Sequence, residues 1–338
     1  MKNHTDVLIF QSGVCAEASQ TLDRRAEFEI LLAFLSKNAS EWRKKQMNKE
    51  AMKQQIQEAL SKKLGDGFHI TIQKVFKPNM ELDGLLIMGE GEIIGPTIYL
   101  EPVYEALDSG TPVEQVVDRI LQAYDSARSE ALDFDIEHLS DFDYVKNRLY
   151  AQLINRHLNK NMLQDVPHAT FLDDFAIIVR CTIETSEDCD ASFMVHNNHI
   201  NIWQTDSETV LSTAISNTLA KHDVELLPLD QLIRETCPSF SEEHSPACNL
   251  WFMSNRRKYF GAAAVLSDDV LKSFAEKHGS FYVIFSSVHE VLMIPSPNNA
   301  DIDFFTRHNQ DVNATALEAE DILGTKAYFY QKDSGFVL

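Results

Sequence analysis

Ser286, His289 and Glu290 lie between two apolar runs and have side chains that could carry out hydrolytic chemistry. A histidine can act as a general base and a serine as a nucleophile when the fold brings them within hydrogen-bond reach. The segment 289–293 is not a zinc metalloprotease motif, because Met293 occupies the place of the second histidine. His289 and Glu290 are predicted on a strand, where neighbouring side chains point to opposite faces. The alternative is a structural histidine that is satisfied by hydrogen bonds.

His196 and His199 are separated by two asparagines and could bind a metal if a turn brought both rings together, with His168 as a further ligand. No carboxylate or cysteine lies at ligand spacing nearby, so no metal site is predicted. A thiol nucleophile would need Cys237 or Cys248 beside a histidine. Neither cysteine is predicted at a helix start in an electropositive setting, which disfavours that reading.

Asn255, Arg256 and Arg257 begin the one basic cluster, completed by Lys258, in the otherwise acidic second half of the sequence. If this turn projects from a sheet, its arginines could bind an anionic group or a carboxylate of a partner. The alternative is a charged turn that keeps an edge soluble. Gly261 is followed by three alanines, which indicates close approach of another backbone or of a ligand.

The chain of 338 residues has a formal net charge of −21, and residues 101–143 contain twelve Asp and Glu against two Arg. Direct binding to nucleic acid needs clustered Lys and Arg, so this function is disfavoured. An acidic surface suits solubility, a basic protein partner or mimicry of a phosphate backbone. Most charged runs are solvated faces, which is the simplest explanation here.

The sequence offers no sign of a cofactor or of a membrane anchor. The glycines at residues 89–95 follow a Gly-x-Gly-x-x-x-Gly pattern with acidic residues between them, which predicts a turn rather than a dinucleotide loop. The apolar run at residues 7–10 is too short for a signal peptide or a membrane span. Five widely spaced cysteines without a Cys-x-x-Cys motif indicate free thiols, so we expect a cytoplasmic protein.

The elements that position these residues are predicted as an α+β fold with a mostly antiparallel sheet and helices packed on it. We expect a helical N-terminal extension at residues 1–46, with an amphipathic helix at 28–35, followed by a single domain at 47–338. The segment 249–295 reads as strand, basic turn, strand, helix and strand pair. The periodicity predicts a helix at 143–163, and a hairpin at 191–203 with the segment 196–199 as its turn.

Further strands are predicted at 69–75, 82–88, 97–100, 175–183 and 327–330, with Cys181 facing the core. Further helices are predicted near 52–64, 101–110, 112–124, 205–214, 229–233 and 302–309.

Several blocks resemble an uncharacterised bacterial family, a domain of unknown function that is encoded in gut anaerobes and on mobile elements. The blocks are ELDGLLI, PTIYLEPVYEAL, VPHATFLDDFAIIVRC, ASFMVHNNHINIW, LWFMSN, GAAAVL, FYVIFSSVHEVLMIP and VNATALEAEDIL. Together they cover about residues 48–332. The resemblance implies a cytosolic single-domain protein and supplies no activity, cofactor or catalytic residue.

Three functions compete. The favoured one is a non-enzymatic protein-interaction or regulatory module that meets a protein partner, possibly a basic one. The second is an enzyme, possibly a hydrolase, with a site near Ser286, His289 and Glu290. The third is an acidic DNA mimic that inhibits a defence enzyme.

Overall fold

A computed structural model of the chain describes residues 48–90, 96–129, 137–185, 190–220, 224–236, 250–295 and 302–337. The predicted extension at 1–46, the glycines after residue 90, and Cys237 and Cys248 lie outside these residues. The domain boundary at residue 47 therefore stays a prediction. The described residues form two compact units, one of 48–73 and 84–129 and the other of 74–83 and 137–337.

The first unit is built on a small sheet and three helices. Its elements are α1 at residues 48–64, β1 (Phe68–Lys77), β2 (Met80–Gly89), β3 (Thr97–Tyr99), α2 (Glu101–Asp108) and α3 (Val113–Ser129); the tip of the β1–β2 hairpin, residues 74–83, counts with the second unit. β2 pairs with β3 in antiparallel orientation. Ile56 and Leu60 recur one helical turn apart on α1 and are fully buried, together with Leu85 of β2.

The second unit contains two sheets. Its elements are α4 (Phe142–Val145), β4 (Leu149–Asn155), β5 (His168–Phe171), β6 (Phe175–Thr185), β7 (Asp190–Met194), α5 (Asn197–Ile202), α6 (Ser207–Ala220), β8 (Val224–Pro228), α7 (Leu229–Thr236), β9 (Trp251–Asn255), α8 (Asp268–His278), β10 (Phe281–Ile284), β11 (Val291–Pro295), α9 (Ile302–Ala316), β12 (Ala327–Gln331) and β13 (Gly335–Val337).

One sheet has six strands in the order β13-β12-β10-β11-β9-β8, and the other has β6 between β4 on one side and β5 and β7 on the other. The paired strands of both sheets run antiparallel. The largest core cluster joins Leu153 and Phe175 of the smaller sheet with Val283 and Met293 of the larger one. The short 3-10 helix Gly261–Leu266 belongs to the same cluster, because its small side chains fit in a tightly packed position.

These sheets and helices confirm the predicted α+β class with mostly antiparallel pairing. The alternating apolar residues of β6 are buried as expected, and Cys181 is fully buried in the core. The predicted strands 69–75, 82–88 and 327–330 are also confirmed.

The predicted helix at 143–163 is wrong. The helical part is short, α4 and the 3-10 helix Lys146–Arg148, and it is followed by β4, which pairs with β6 over seven residues from Leu149 to Asn155. Leu149 and Leu153 are spaced as on a helix, but β4 is buried on both faces, since Gln152 and Ile154, which point to the opposite face, are also buried. A strand that is apolar on both faces cannot be distinguished from a buried helix by its periodicity.

The predicted hairpin at 191–203 is also wrong. β7 pairs with β6, and the segment after it turns into α5. His196 has the extended backbone of a helix N-cap, and its N–H donates to Nδ1 of His199 at 2.9 Å. The side chain of His199 therefore satisfies a backbone donor at the helix start, which favours a helix over a turn.

The segment 249–295 differs from its predicted structure at two places. Residues 261–266 form a 3-10 helix where a strand was predicted. His289 and Glu290 lie in the connection between β10 and β11 and not on a strand.

Candidate functional site

His289 connects three parts of the second unit. Its Nδ1 accepts the backbone N–H of Phe260 at 3.1 Å, and its Nε2 lies 3.1 Å from Oδ1 of Asp321. An accepting Nδ1 in the neutral ring places the proton on Nε2, which then donates to Asp321. Its carbonyl also accepts from Oγ of Ser254 at 2.7 Å. Both ring nitrogens of His289 are thus engaged in tying loops together.

The two residues predicted to act with His289 are held in the same connection. Ser286 is 8% exposed, and its carbonyl accepts the N–H of Leu323 at 2.8 Å. Burial raises the pKa of Glu290, against the opposing effect of His289 and a hydrogen bond from Ser287. The catalytic roles suggested for Ser286, His289 and Glu290 stay predictions.

The turn after β9 carries the predicted contact residues Asn255, Arg256 and Arg257. Nδ2 of Asn255 donates to the carbonyl of Tyr259 at 2.8 Å, and its Oδ1 accepts the Tyr259 N–H at 3.3 Å. Asn255 therefore acts as a clamp inside the turn, while both arginines lie on its exposed part.

Lys258 and Phe260 adopt left-handed backbone conformations, with φ of 53° and 52°. For residues with a side chain this conformation costs about 1–2 kcal/mol each relative to the right-handed region. The Asn255 clamp and the hydrogen bond from Phe260 to His289 compensate for this cost. Residues in such a conformation persist only where the surrounding structure holds them in place.

The ring of Phe260 is surrounded by other flat groups. The His289 ring stacks on it at 5.6 Å with an interplanar angle of 14°. The Tyr150 ring lies at 6.5 Å, and the Arg180 guanidinium lies 4.9 Å from the ring centroid. Arg180 and Tyr150 are in turn fixed by Ser192, whose Oγ is 3.1 Å from Nε and 3.0 Å from the phenol oxygen, respectively.

Gly261 explains how the turn comes so close to its neighbours. A Cβ at this position would lie 2.1 Å from Oγ of Ser254 and 2.7 Å from the carbonyl oxygen of His289. The close approach predicted at Gly261 is therefore made by the side chain of Ser254 and by the backbone of Asn255 and His289. It brings the turn against the β10–β11 connection.

A cavity of about 340 Å³ opens beside this turn. Asn255 and Arg257 line it, which places two of the three predicted contact residues at one cavity. Arg148, which directly precedes β4, and Tyr150 of β4 also line it. Further lining groups are the aromatic rings, amides and hydroxyls of Tyr259, Phe260, Asn147, Asn217, Thr182 and Thr218.

Arginine charges act on this region of the unit. The guanidinium of Arg148 lies 4.5 Å from the Tyr144 ring centroid and donates to the carbonyl of Ile183 at 3.2 Å. Burial raises the pKa of the Cys181 thiol to about 12, and Arg148 opposes that shift. Burial likewise raises the pKa of Tyr259; Arg180 opposes that shift, whereas Glu320 and Asp321 add to it. The positive charge at the cavity is therefore that of the two arginines in its lining, Arg148 and Arg257.

The two histidines that were weak metal-ligand candidates, His196 and His199, make contacts with other residues at the start of α5. Nδ1 of His196 lies 2.8 Å from Oδ2 of Asp165, and the ring of His199 stacks on Trp203 at 5.6 Å. Burial lowers the pKa of His199, and the nearby His196 adds to this effect. His168 instead places its Nδ1 3.0 Å from the carbonyl of Val166. Within the described ranges, His, Cys, Asp and Glu do not form any group of three or more suited to a metal ion.

Arg148, Tyr150, Arg180, Tyr259 and Asp321 were not predicted from the sequence. The pair Tyr259–Phe260, which directly follows the basic cluster, was a local signal for part of the site. The other residues come from elements that lie far away along the chain, so only the fold brings them to the turn.

No helix in the described part of the chain is long and apolar enough to span a membrane. A family model described as a family of unknown function, DUF5688, matches residues 49–332. Comparison with curated proteins and with solved structures finds no match.

Proposed function

We propose a binding function for this chain, which belongs to the family of unknown function DUF5688. It acts as a non-enzymatic module that recognises an anionic group of a ligand or a partner in the cavity beside the turn 255–261. The observation that carries this proposal is the presence of Arg148 and Arg257 in the lining of a single cavity. Guanidinium groups are well suited to carboxylates and phosphates, which they can bind through two parallel hydrogen bonds.

The polar residues Asn217 and Thr218 in the cavity lining have structural roles, which supports a binding function without catalysis. Asn217 donates to the carbonyls of Lys146 and Leu149 at 2.7 and 2.9 Å, so its amide is held in one orientation at the cavity. Thr218 accepts the Ala151 N–H at 2.9 Å and donates to Ala214. These bonds use both amide hydrogens of Asn217 and the hydroxyl hydrogen of Thr218, so the two side chains shape the cavity, and Arg148 and Arg257 are the donors proposed for the anion.

The enzymatic alternative has weaker support. Among the described residues, the cavity lining includes none of Ser286, His289 and Glu290. The hydrogen bonds of His289 to Phe260 and Asp321 leave it better suited to positioning the turn than to abstracting a proton.

The acidic-mimic alternative also has weaker support. The acidic stretch 101–143 is divided between the two units, and residues 130–136 lie outside the described part. We propose a partner other than nucleic acid, because a polyanionic backbone would be repelled by a net charge of −21. We also propose a cytoplasmic location, in keeping with the widely spaced cysteines of the sequence.

Thermal unfolding of the full chain with inorganic phosphate and with acetate, at matched ionic strength in chloride, tests the proposal. Either anion should stabilise the wild type by about 1.4 kcal/mol at a concentration about ten times its Kd. Arg257→Gln and Arg148→Gln should each weaken this binding by about tenfold or more, because a charge-assisted hydrogen bond is lost.

Arg234→Gln is the matched control, since Arg234 lies on α7 in an ion pair with Asp230. It should bind both anions as the wild type does. Stabilisation that is equal in all variants would assign the effect to ions in general and refute the proposal.

A further inference from the structure

The size of the cavity limits what can enter it. Sites for small molecules typically have volumes of about 300–1,000 Å³, and the cavity beside the turn, with about 340 Å³, is at the lower end. This volume suits a ligand with one ring and one charged group better than a long peptide.

Tyr259 provides an aromatic surface at the cavity. The residue is 43% exposed although its ring is large and apolar. The rings of Phe260 and His289 lie against it at centroid distances of 4.1 and 5.4 Å. A ring that is supported by two others and still accessible is a surface on which a planar group can stack.

The backbone of the turn holds this ring in place. Tyr259 lies between the two left-handed residues, Lys258 and Phe260, and both of its backbone polar groups bond to the side chain of Asn255. These two hydrogen bonds hold the turn in its left-handed backbone conformation. The turn therefore fixes the backbone that carries the ring, and the contacts with Phe260 and His289 restrict the ring itself, which reduces the entropy lost on stacking.

The aromatic surface and the positive charges line the same cavity. Tyr259 and Arg257 are two residues apart on the turn, and Arg148 lies on the chain that leads into β4. A ligand that stacks on Tyr259 therefore lies in the cavity that these two arginine residues line.

From this juxtaposition we infer that the ligand is a small aromatic anion. Its planar ring stacks on Tyr259, and its phosphate or carboxylate binds to Arg257 and Arg148. This inference rests on the proposed function, because it specifies the ligand of the same cavity.

Isothermal titration of the full chain with two pairs of probes tests it. Phenyl phosphate is compared with methyl phosphate, and phenylacetate is compared with acetate. In at least one pair the aromatic probe should bind about tenfold more tightly, since stacking on an aromatic side chain contributes at this level. Phenol, which is aromatic and uncharged, should bind more weakly than either aromatic anion.

Tyr259→Leu should lower the affinity for the aromatic probe more than that for its non-aromatic counterpart, so that the preference for the aromatic probe disappears. Phe304→Leu is the matched control, because Phe304 is an exposed aromatic residue on α9. It should keep the preference.

The outcomes separate the two proposals. Equal affinity within both pairs, or a preference that survives Tyr259→Leu, would overturn the aromatic ligand and leave anion binding in place. If none of the four anions binds, the proposed function itself is refuted, and this inference with it.

Discussion

His199 and His289 both accept a backbone N–H at Nδ1, but they connect very different parts of the chain. The donor to His199 is His196, three residues earlier, whereas the donor to His289 is Phe260, 29 residues earlier. The first bond closes the start of α5. The second joins the β10–β11 connection to the turn beside the cavity, and Asp321 extends this link to a third segment.

The difference indicates which histidine bears on function. A local cap such as His199 acts mainly on its own helix, and beyond the helix its ring contacts that of the nearby Phe193 of β7, at 5.0 Å. A long-range contact such as that of His289 fixes the relative position of loops, which is what a binding site on loops requires. The comparison predicts that the region around His289 tolerates change less well than the region around His199.

The strongest test of this comparison is Gly261→Ala. The new Cβ would lie 2.6 Å from the backbone nitrogen of Asn255 and 2.7 Å from the carbonyl oxygen of His289, and neither backbone atom can move aside easily. We expect a loss of unfolding free energy of more than about 3 kcal/mol, as for severe overpacking. Urea unfolding of the full chain measures it.

Gly67→Ala is the control for this substitution, because a Cβ at Gly67 would meet nothing within 4 Å. Its stability should remain within about 0.5 kcal/mol of the wild type. If both variants had the same stability, the close packing at Gly261 would not exist in solution.

The next test replaces each histidine by alanine. His289→Ala leaves the Phe260 N–H and the Asp321 carboxylate without their partner and removes a stacked ring. We expect a loss of about 2–3 kcal/mol. His199→Ala removes a helix cap and the ring contacts with Trp203 and Phe193, for which we expect a smaller loss of about 1–2 kcal/mol. Chemical unfolding of both variants at neutral pH compares the two losses.

His69→Ala serves as the reference for these two variants, since His69 is exposed on β1. A larger loss for His199→Ala than for His289→Ala would reverse the comparison. A double-mutant cycle of His289→Ala with Asp321→Asn should also show a coupling, because the two side chains are in contact.

The elements with a clear local pattern were predictable from the sequence. In β6 every second residue from Phe175 to Ile183 is apolar, α1 repeats its apolar residues every turn, and Gly279 ends α8 with a positive φ of 79°. β4 was not predictable in this way, because both of its faces are buried and its apolar residues match either period.

The residues of the candidate site likewise differ in whether a local sequence pattern could predict them. The basic residues at 256–257 and the small residues from Gly261 onward were visible in the sequence, since each forms a local cluster. The partners of the turn were not visible, because Arg148, Arg180 and Asp321 reach it only through sheet pairing and loop packing. For the segment 196–199, the sequence showed four polar residues, but their assignment to a helix depends on the side chain of His199 acting as a cap.

The smallest expected effect is a pH dependence of the unfolding free energy that comes from the His199 cap. Burial, with a contribution from the neighbouring His196, lowers the pKa of His199 below the ordinary 6.5, while Asp165 opposes this shift. The unfolded chain therefore binds a proton at His199 at a higher pH than the folded chain does. The stability from this site is complete above pH 6.5 and is lost as the pH falls below it towards the folded pKa.

His199→Gln isolates this contribution, because a glutamine at the third position of a helix can accept the N-cap N–H without titrating. We expect the wild type to lose more unfolding free energy than His199→Gln between about pH 7.5 and about pH 5.5, on either side of the ordinary histidine pKa. Urea unfolding of the two proteins at both pH values measures the difference, which should be smaller than that caused by either alanine variant. Parallel losses in the two proteins would mean that His199 titrates alike in the folded and the unfolded chain, and the cap would then be solvated rather than buried.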